Sequence, residues 1–394
     1  MMIRASIPIA LQIVIDDVGW WCGTDDNKTG APFRTGFCRE HVPADYQAII
    51  DLGRRLHMRP QAAMILADWD RTNLLRRLPS ATWMGAGWDN PFKSDPRLDE
   101  TSALLAENSR HIELALHGVG HEFWSDGVPT RAEWHDQTGQ MRPRDQVEAH
   151  LDAFMEIWNQ NRLGSDPFSF VPTAFLHRFG DPDGLAPILA RRGIRYISSP
   201  YGRMFFHQPS DEGDFGIDGG LLMLDRGTDP LRWFAAEPDA IEGEITGAIC
   251  GMHWPNLLAR DPARNSEVID RWVQFLTPYD TRFDRMLGPD TPASFSQLVY
   301  HRWTRLKTNP DGLEFDFSRL EAATGLLPSF YLKITADQPI DPDALKLTGL
   351  SLLEHHRELP NQWRLHLQCL QGTRVGSLRL TTESIAANTC QSSF

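Results

Sequence analysis

Leu11-Gln-Ile-Val-Ile-Asp16-Asp17-Val-Gly-Trp20-Trp21 is an apolar, β-branched run that ends abruptly in two adjacent carboxylates. Such a run predicts a buried strand. Acids at its end predict a place on the rim of a parallel sheet, where strands hand over to loops and present functional groups. An Asp pair close to Gly is equally the sequence of a helix N-cap or a solvated turn. The rest of the chain separates these readings.

Further strand-like runs lie at 62–66, 112–116, 171–175, 195–198, 221–225 and 248–252, making seven with the first. Helical patterns fall between them near 43–57, 99–109, 144–160, 182–193 and 230–242. Asp181-Pro182 supplies an N-cap and first-turn proline, and Arg192-Gly193 a helix end. The alternation predicts an α/β fold with a parallel sheet, and seven strands suit a barrel better than an open sheet. From 264 to 325 the pattern turns helical, with Val268, Ile269, Trp272, Val273, Phe275 and Leu276 on one face, as if closing the barrel wall. After Pro328, runs beginning at Phe330, Leu345, Trp363 and Val375 alternate like an antiparallel sheet. The expected organisation is therefore a barrel with closing helices over 1–328 and a small β domain over 329–394. That domain reads as a sugar-binding appendage, an oligomer contact or a lid. The tail beyond Ser384 is polar enough to fray.

With 394 residues, 41% of them hydrophobic, the chain can bury one large core and a smaller one. A net charge of -13 argues against nucleic acid and strongly anionic polymers, and fits a neutral or cationic ligand better. No apolar run approaches the roughly 20 residues that span a bilayer. The apolar segment after Arg4 reads as the first strand rather than a signal peptide, so the expected location is the cytoplasm. Nothing in the sequence speaks to oligomeric state. The five cysteines form no CxxC pair and are expected to be reduced, although Cys22 and Cys38 could bridge within one loop. Many of the thirteen tryptophans, among them Trp20, Trp21, Trp83, Trp88, Trp124 and Trp254, fall in Gly- and Pro-punctuated stretches, where flat rings suit sugar faces.

Three later segments carry chemistry. The run 112–116 leads into His117-Gly-Val-Gly-His121. Its histidine spacing is that of a zinc-protease helix, but Gly118 and Gly120 are poor helix formers and no Glu follows His117, so the pair is expected on a loop. The glycines let the backbone fold tightly enough for both imidazoles to reach one ion. Ala174-Phe-Leu-His177-Arg178 offers a guanidinium that could grip Asp16 in a bidentate fork. Ala248-Ile-Cys-Gly-Met-His253 places His253 at the close of the last barrel strand.

In order, these four segments resemble the polysaccharide deacetylase family of the NodB-homology type (carbohydrate esterase family 4-like), over roughly residues 10 to 275. The family's Asp-Asp-Gly motif is similar to Asp16-Asp17-Val18-Gly19 with one residue inserted. Its His-x-x-x-His pair resembles His117 and His121, its arginine motif Arg178, and its Leu-x-His motif Gly251-Met252-His253, where only the histidine matches. Arg178 is followed by Phe-Gly-Asp-Pro rather than x-Pro-Tyr, and the family's Asp-Trp motif is not visible between 196 and 220, which makes this a divergent member. The resemblance implies a distorted (β/α)7 barrel and a metal-dependent hydrolase that removes N-acetyl groups from carbohydrate. It implies Asp17, His117 and His121 as ligands of a divalent metal, zinc before nickel, cobalt or manganese. It further implies Asp16 as general base, Arg178 as the group that orients it, and His253 as general acid. Trp20, Trp21, Trp124 and Trp254 are the expected sugar-binding rings, and the segment from Trp20 to His41, with Asp25, Asp26, Arg34 and Arg39, is expected to overhang the site. The alternatives are an inactive carbohydrate-binding barrel and a metal-dependent amidase or esterase for a non-sugar acyl group.

Overall fold

A computed structural model describes residues 3–24, 34–203, 213–310, 312–323, 325–338 and 340–380. Asp25, Asp26, Cys390 and the tail beyond Ser384 lie outside the described residues. The chain divides into two compact units, one of Gln12–Thr277 with Pro289–Thr291, the other of Met1–Leu11, Pro278–Gly288 and Pro292–Phe394.

The larger unit is built on strands β1 (Ile9–Val18), β2 (Gln61–Ile65), β3 (Glu113–Gly118), β4 (Ser169–Phe170), β5 (Tyr196–Ser199), β6 (Phe215–Asp218), β7 (Leu221–Asp225) and β8 (Ile249–His253). They pair in the order β8-β1-β2-β3-β4-β5-β7-β6. All neighbours are parallel except the β6/β7 hairpin. Six of the seven expected runs are strands of this sheet, and β1 is buried along all but its first residue, as a central parallel strand covered on both faces must be. The result is an α/β fold on a curled, half-barrel sheet, and among the described residues no pairing joins β6 to β8.

Helices return the chain between strands. The helix Pro43–Leu56 starts on a proline, and Asp45 at its third position accepts from the Val42 amide, while its far end stops at His57 in the left-handed conformation. Its apolar face buries Tyr46, Ile49, Ile50 and Leu56. Arg97–Glu107, Arg144–Gln160, Leu185–Arg191 and Asn265–Thr281 follow.

Two expectations in this unit are corrected. No strand occupies 171–175: the ladder covers only Ser169–Phe170, because Pro172 ends it and Thr173–Phe175 forms a tight turn. No helix occupies 230–242. Pro230 and Pro238 remove amide donors there, and the Asn256 amide donates to the carbonyls of Arg232 and Ala235 in an irregular path.

In the smaller unit, Ile3–Ser6, Ser329–Ala336, Gln362–Cys369 and Leu350–Leu359 form one antiparallel sheet. Arg305–Asn309, Gly312–Asp316, Val375–Arg379 and Lys346–Thr348 form another. Phe315, Phe317, Phe330, Leu332, Ile334, Leu365 and Leu367 fill its core. The boundary expected at 328 is not where the units divide, because the first strand of the chain pairs with Ser329–Ala336. Arg305–Asn309 and Gly312–Asp316 pair antiparallel rather than forming part of a helical stretch. Their apolar residues alternate, and Asn309-Pro310 breaks the run.

Inside the larger unit a polar layer crosses the strands below the rim. Gln12 donates to Thr291 Oγ1 at 2.9 Å, Ser169 to Glu113 Oε1 at 2.6 Å, and Ser198 to Gln61 Oε1 at 3.2 Å. Burial pushes the Glu113 carboxyl up to about 7. A carboxyl whose folded value exceeds its unfolded 4.5 stabilises the fold fully below 4.5, and that contribution is lost as pH rises through 7. Chemical denaturation at pH 5 and pH 8 should show Glu113→Gln gaining on the wild type by on the order of 3 kcal/mol over that interval. A constant difference between the two proteins at both pH values would contradict the assignment.

Candidate functional site

Successive residues of a strand point to opposite faces, so Asp16 and Asp17 should diverge. They do not. Asp17 takes a left-handed backbone (φ 60°), and the β1/β2 register slips between Ile15 and Val18. This bulge turns both carboxylates into one cavity of about 660 Å³. Gly19 (φ 127°) completes the turn, and a Cβ there would lie 2.1 Å from the Ile65 carbonyl oxygen.

The cavity opens at the carboxyl ends of the strands. Asp16 and Asp17 come from β1, His117 and His121 from the end of β3 and its loop, Arg226 and Asp229 from just after β7, and His253 from the end of β8. Asp17 Oδ1 lies 3.3 Å from His117 Nε2 and 3.6 Å from His121 Nε2. His117 Nδ1 sits 2.6 Å from the Val171 carbonyl, which can only accept, so Nδ1 carries a proton and Nε2 is turned toward Asp17. One ligand atom from each of Asp17, His117 and His121 lies within 4.8 Å of the others, and all three residues are buried. That donor set fits a divalent cation. Burial opposes ionisation of Asp17, but the hydrogen bond from His117 and the charges of His121 and His253 outweigh it and hold the carboxyl below its usual range. Asp16 goes the other way, because burial raises it and Arg226 only partly compensates.

Arg226 was missed by the sequence reading. Its Nη1 is 2.6 Å from Asp16 Oδ2, while Nε and Nη2 grip Asp229 at 2.8 and 3.1 Å. One buried guanidinium thus serves two carboxylates, and Asp229 lies 3.6 Å from His253 Nδ1. On the other side of that ring, His253 Nε2 is 3.6 Å from Asp17 and 3.9 Å from Asp16. Gly251 makes the arrangement possible, since a Cβ there would fall 2.1 Å from both Arg226 Nε and Asp229 Oδ1. Gly251 therefore marks the space this ion pair occupies.

Arg178, expected to hold Asp16, does not reach it. It faces Asp181 at 3.7 Å and is 30% exposed. Positive φ at Ala174 (51°) and Phe175 (60°) sends Phe175 and Leu176 into the cavity wall, and the following residue, His177, is buried against Asp218 at 2.7 Å.

The expected sugar-binding tryptophans are likewise displaced. Trp20, Trp21 and Trp254 are buried, and none of them, nor Trp124, lines the cavity. The turn at Gly19 folds Trp20 under Arg34, whose guanidinium stacks 3.9 Å from the ring. Trp21 packs on Tyr46 and Trp69, and Trp254 stacks on His41 at 3.8 Å. The aromatic wall is Phe175, Trp233 and Phe234 instead. Trp233 lies in the stretch that was expected to be helical. Of the segment expected to overhang the site, Arg39 binds Asp45 instead, at 2.8 Å. Cys22 and Cys38 are both free thiols.

Among solved structures, the chain is similar to a family 4 carbohydrate esterase from Streptomyces lividans in complex with acetate (12% identity, 68% of this chain and 88% of that one, TM-score 0.32). It is also similar to a family 4 acetyl xylan esterase from Clostridium thermocellum in complex with a cobalt ion (13%, 51% and 76%, TM-score 0.20). A GH57-type branching enzyme from Pyrococcus horikoshii is a third such structure (10%, 74% and 77%, TM-score 0.36). No family model matches the chain, and no curated protein matches it. At TM-scores below 0.5 these likenesses carry no weight for activity. What fold and site define together is an α/β protein with a carboxylate and imidazole cavity at its strand ends.

The two arginines differ in a way that stability measures directly. Arg226→Met strands the buried Asp16 carboxylate and the partly buried Asp229, and should cost about 3–5 kcal/mol in urea denaturation. Arg178→Met, at a half-exposed pair, should stay within about 0.5 kcal/mol. Equal losses would place Arg226 outside the role described.

Proposed function

We propose that the chain is a metal-dependent hydrolase that removes an acetyl group from an N-acetylated carbohydrate in this cavity. The observation that carries the reading is the inequality of two neighbouring acids: Asp17 faces three imidazoles, whereas Asp16 is held by Arg226. Asp17, His117 and His121 would hold a divalent cation, zinc being the first choice for histidine and carboxylate donors, with nickel, cobalt and manganese also compatible. When bound, the cation supplies a Lewis acid that polarises the scissile carbonyl and makes water acidic near neutral pH.

The chain's own residues do the rest. Asp16, kept in one orientation by Arg226, takes the proton from the attacking water at a carboxylate oxygen. His253, steadied at Nδ1 by Asp229, delivers a proton from Nε2 to the departing nitrogen, since an amine leaves poorly unless protonated. Arg226 binds the base Asp16 directly and the Asp229 carboxylate behind the acid, so base and acid share a single support. Phe175 and Trp233 flank the His253 ring at 6.1 and 6.4 Å and form an apolar wall against which a sugar face can lie. A cavity of about 660 Å³ suits a small glycoside or the end of a longer saccharide better than a flat polymer track.

Acetate release from a panel of N-acetylated sugars, run beside O-acetyl esters and non-sugar amides, tests the reading. Release with formation of a free amine supports it. Turnover of esters alone points to an esterase, and binding without turnover to an inactive lectin-like protein. Asp16→Asn should keep its metal but lose about 10²–10⁴-fold in rate. Asp17→Ala and His121→Ala should lose the metal itself by elemental analysis. Normal turnover in Asp16→Asn would overturn the division of labour.

A further inference from the structure

The loop that carries the two histidines hangs from a pair of residues outside the cavity. We propose that Glu133, with its neighbour Trp134, is a positioning residue that sets the geometry of the His117 and His121 imidazoles for a cation. The inference rests on the reading of those histidines as cation ligands.

Glu133 is buried, and its carboxylate accepts the backbone N–H groups of Val119 (3.0 Å), Gly120 (3.1 Å) and His121 (3.1 Å). Trp134 donates its indole N–H to the His117 carbonyl at 2.8 Å. Two consecutive residues therefore grip the loop at both ends, one through its first carbonyl and one through its last amide. His121 needs such a grip, because it is a non-glycine residue at φ 66°, a conformation that costs roughly 1–2 kcal/mol and persists only where the surroundings over-determine it.

The glycines of the loop fit the same device. A Cβ on Gly118 would lie 2.3 Å from Glu133 Oε2, and one on Gly120 would lie 1.8 Å from the Ala81 carbonyl oxygen. The glycines are thus where the carboxylate and the Ala81 backbone press against the loop.

Glu133 is itself tethered. His150 Nδ1 lies 2.8 Å from Glu133 Oε1, and Ser80 Oγ lies 2.8 Å from His150 Nε2. Ser80, His150 and Glu133 have the spacing of a nucleophile, base and acid. None of the three lines the cavity, however, and the carboxylate is already engaged by three amides. The series is a brace: Ser80 adjoins Ala81, the residue that packs on Gly120, so both supports of the loop are joined through His150.

Cobalt titration of the full chain, read by the visible d–d spectrum and by calorimetry, tests this. In Glu133→Gln one acceptor oxygen becomes an N–H₂ facing backbone donors. Cobalt affinity should fall about 10–100-fold, with an altered d–d spectrum, the range typical of lost support behind a metal ligand. Trp134→Phe, which removes only the indole donor, should shift the spectrum in the same direction by less, and serves if Glu133→Gln does not fold. Ser80→Ala should leave affinity within about threefold, since it is two bonds removed from the loop. A lowered melting temperature with wild-type cobalt affinity and spectrum in both Glu133→Gln and Trp134→Phe would overturn the proposal, as would labelling of Ser80 by a fluorophosphonate. A wild-type chain that takes up no cobalt at all would sink the hydrolase reading instead, so the two failures are distinct.

Discussion

Adjacent side chains on an extended strand face opposite ways, and the cavity exists because that rule is cancelled at one residue. A left-handed backbone at Asp17, within a bulge of β1, brings two neighbouring acids to one side of the sheet. The cost of holding a non-glycine residue there is met by the packing of Gly19 against Ile65 and by the buried strands on either side. Without the bulge, the two carboxylates would face opposite sides of the sheet.

Concentrating acids in a low-dielectric cavity raises their self-repulsion, and the structure answers with a shared counterion. Asp16, Asp17 and Asp229 all line the cavity, and Arg226 binds two of them. The third is surrounded by imidazoles. The pairing makes the two halves of the proposed chemistry interdependent, because any movement of the guanidinium is felt at Asp16 and, through Asp229, at His253. Gly251 belongs to the same design, as the absent side chain that gives the ion pair its volume.

Much of this was legible because it depends on local pattern. Apolar runs located six of the sheet's strands, and polar residues at their ends located Asp16, Asp17, His117, His121 and His253, all of which the structure gathers at one cavity. Arg226 was not legible, because Leu-Asp-Arg-Gly reads as the polar end of a strand, and its partner Asp16 lies far away in the chain. Arg178 drew attention by resemblance, yet positive φ at Ala174 and Phe175 redirects the segment, and no periodicity reveals that. The tryptophans misled for a related reason. Proximity to glycine places a ring near a turn, but whether the turn folds it outward or under the sheet is set by long-range packing. Whether the sheet closes, and how the chain divides into units, depend on pairings between residues hundreds of positions apart.

The opening residues of the chain have an unusual schedule. Ile3–Ser6 pairs with Ser329–Ala336, and Ile9 to Leu11 with Arg285–Leu287, whereas Val14 and Ile15 pair with Gln61 and Ala62. During synthesis at about 5–20 residues per second, the inner end of β1 can find its neighbour within roughly ten seconds, while Ile3–Ser6 must wait something like 15–65 seconds for its own. One continuous stretch of backbone is thus completed in two instalments. For that interval the Ile3–Ser6 strand stands without its partner, which makes this segment a natural point for a chaperone to hold and for premature pairing to begin.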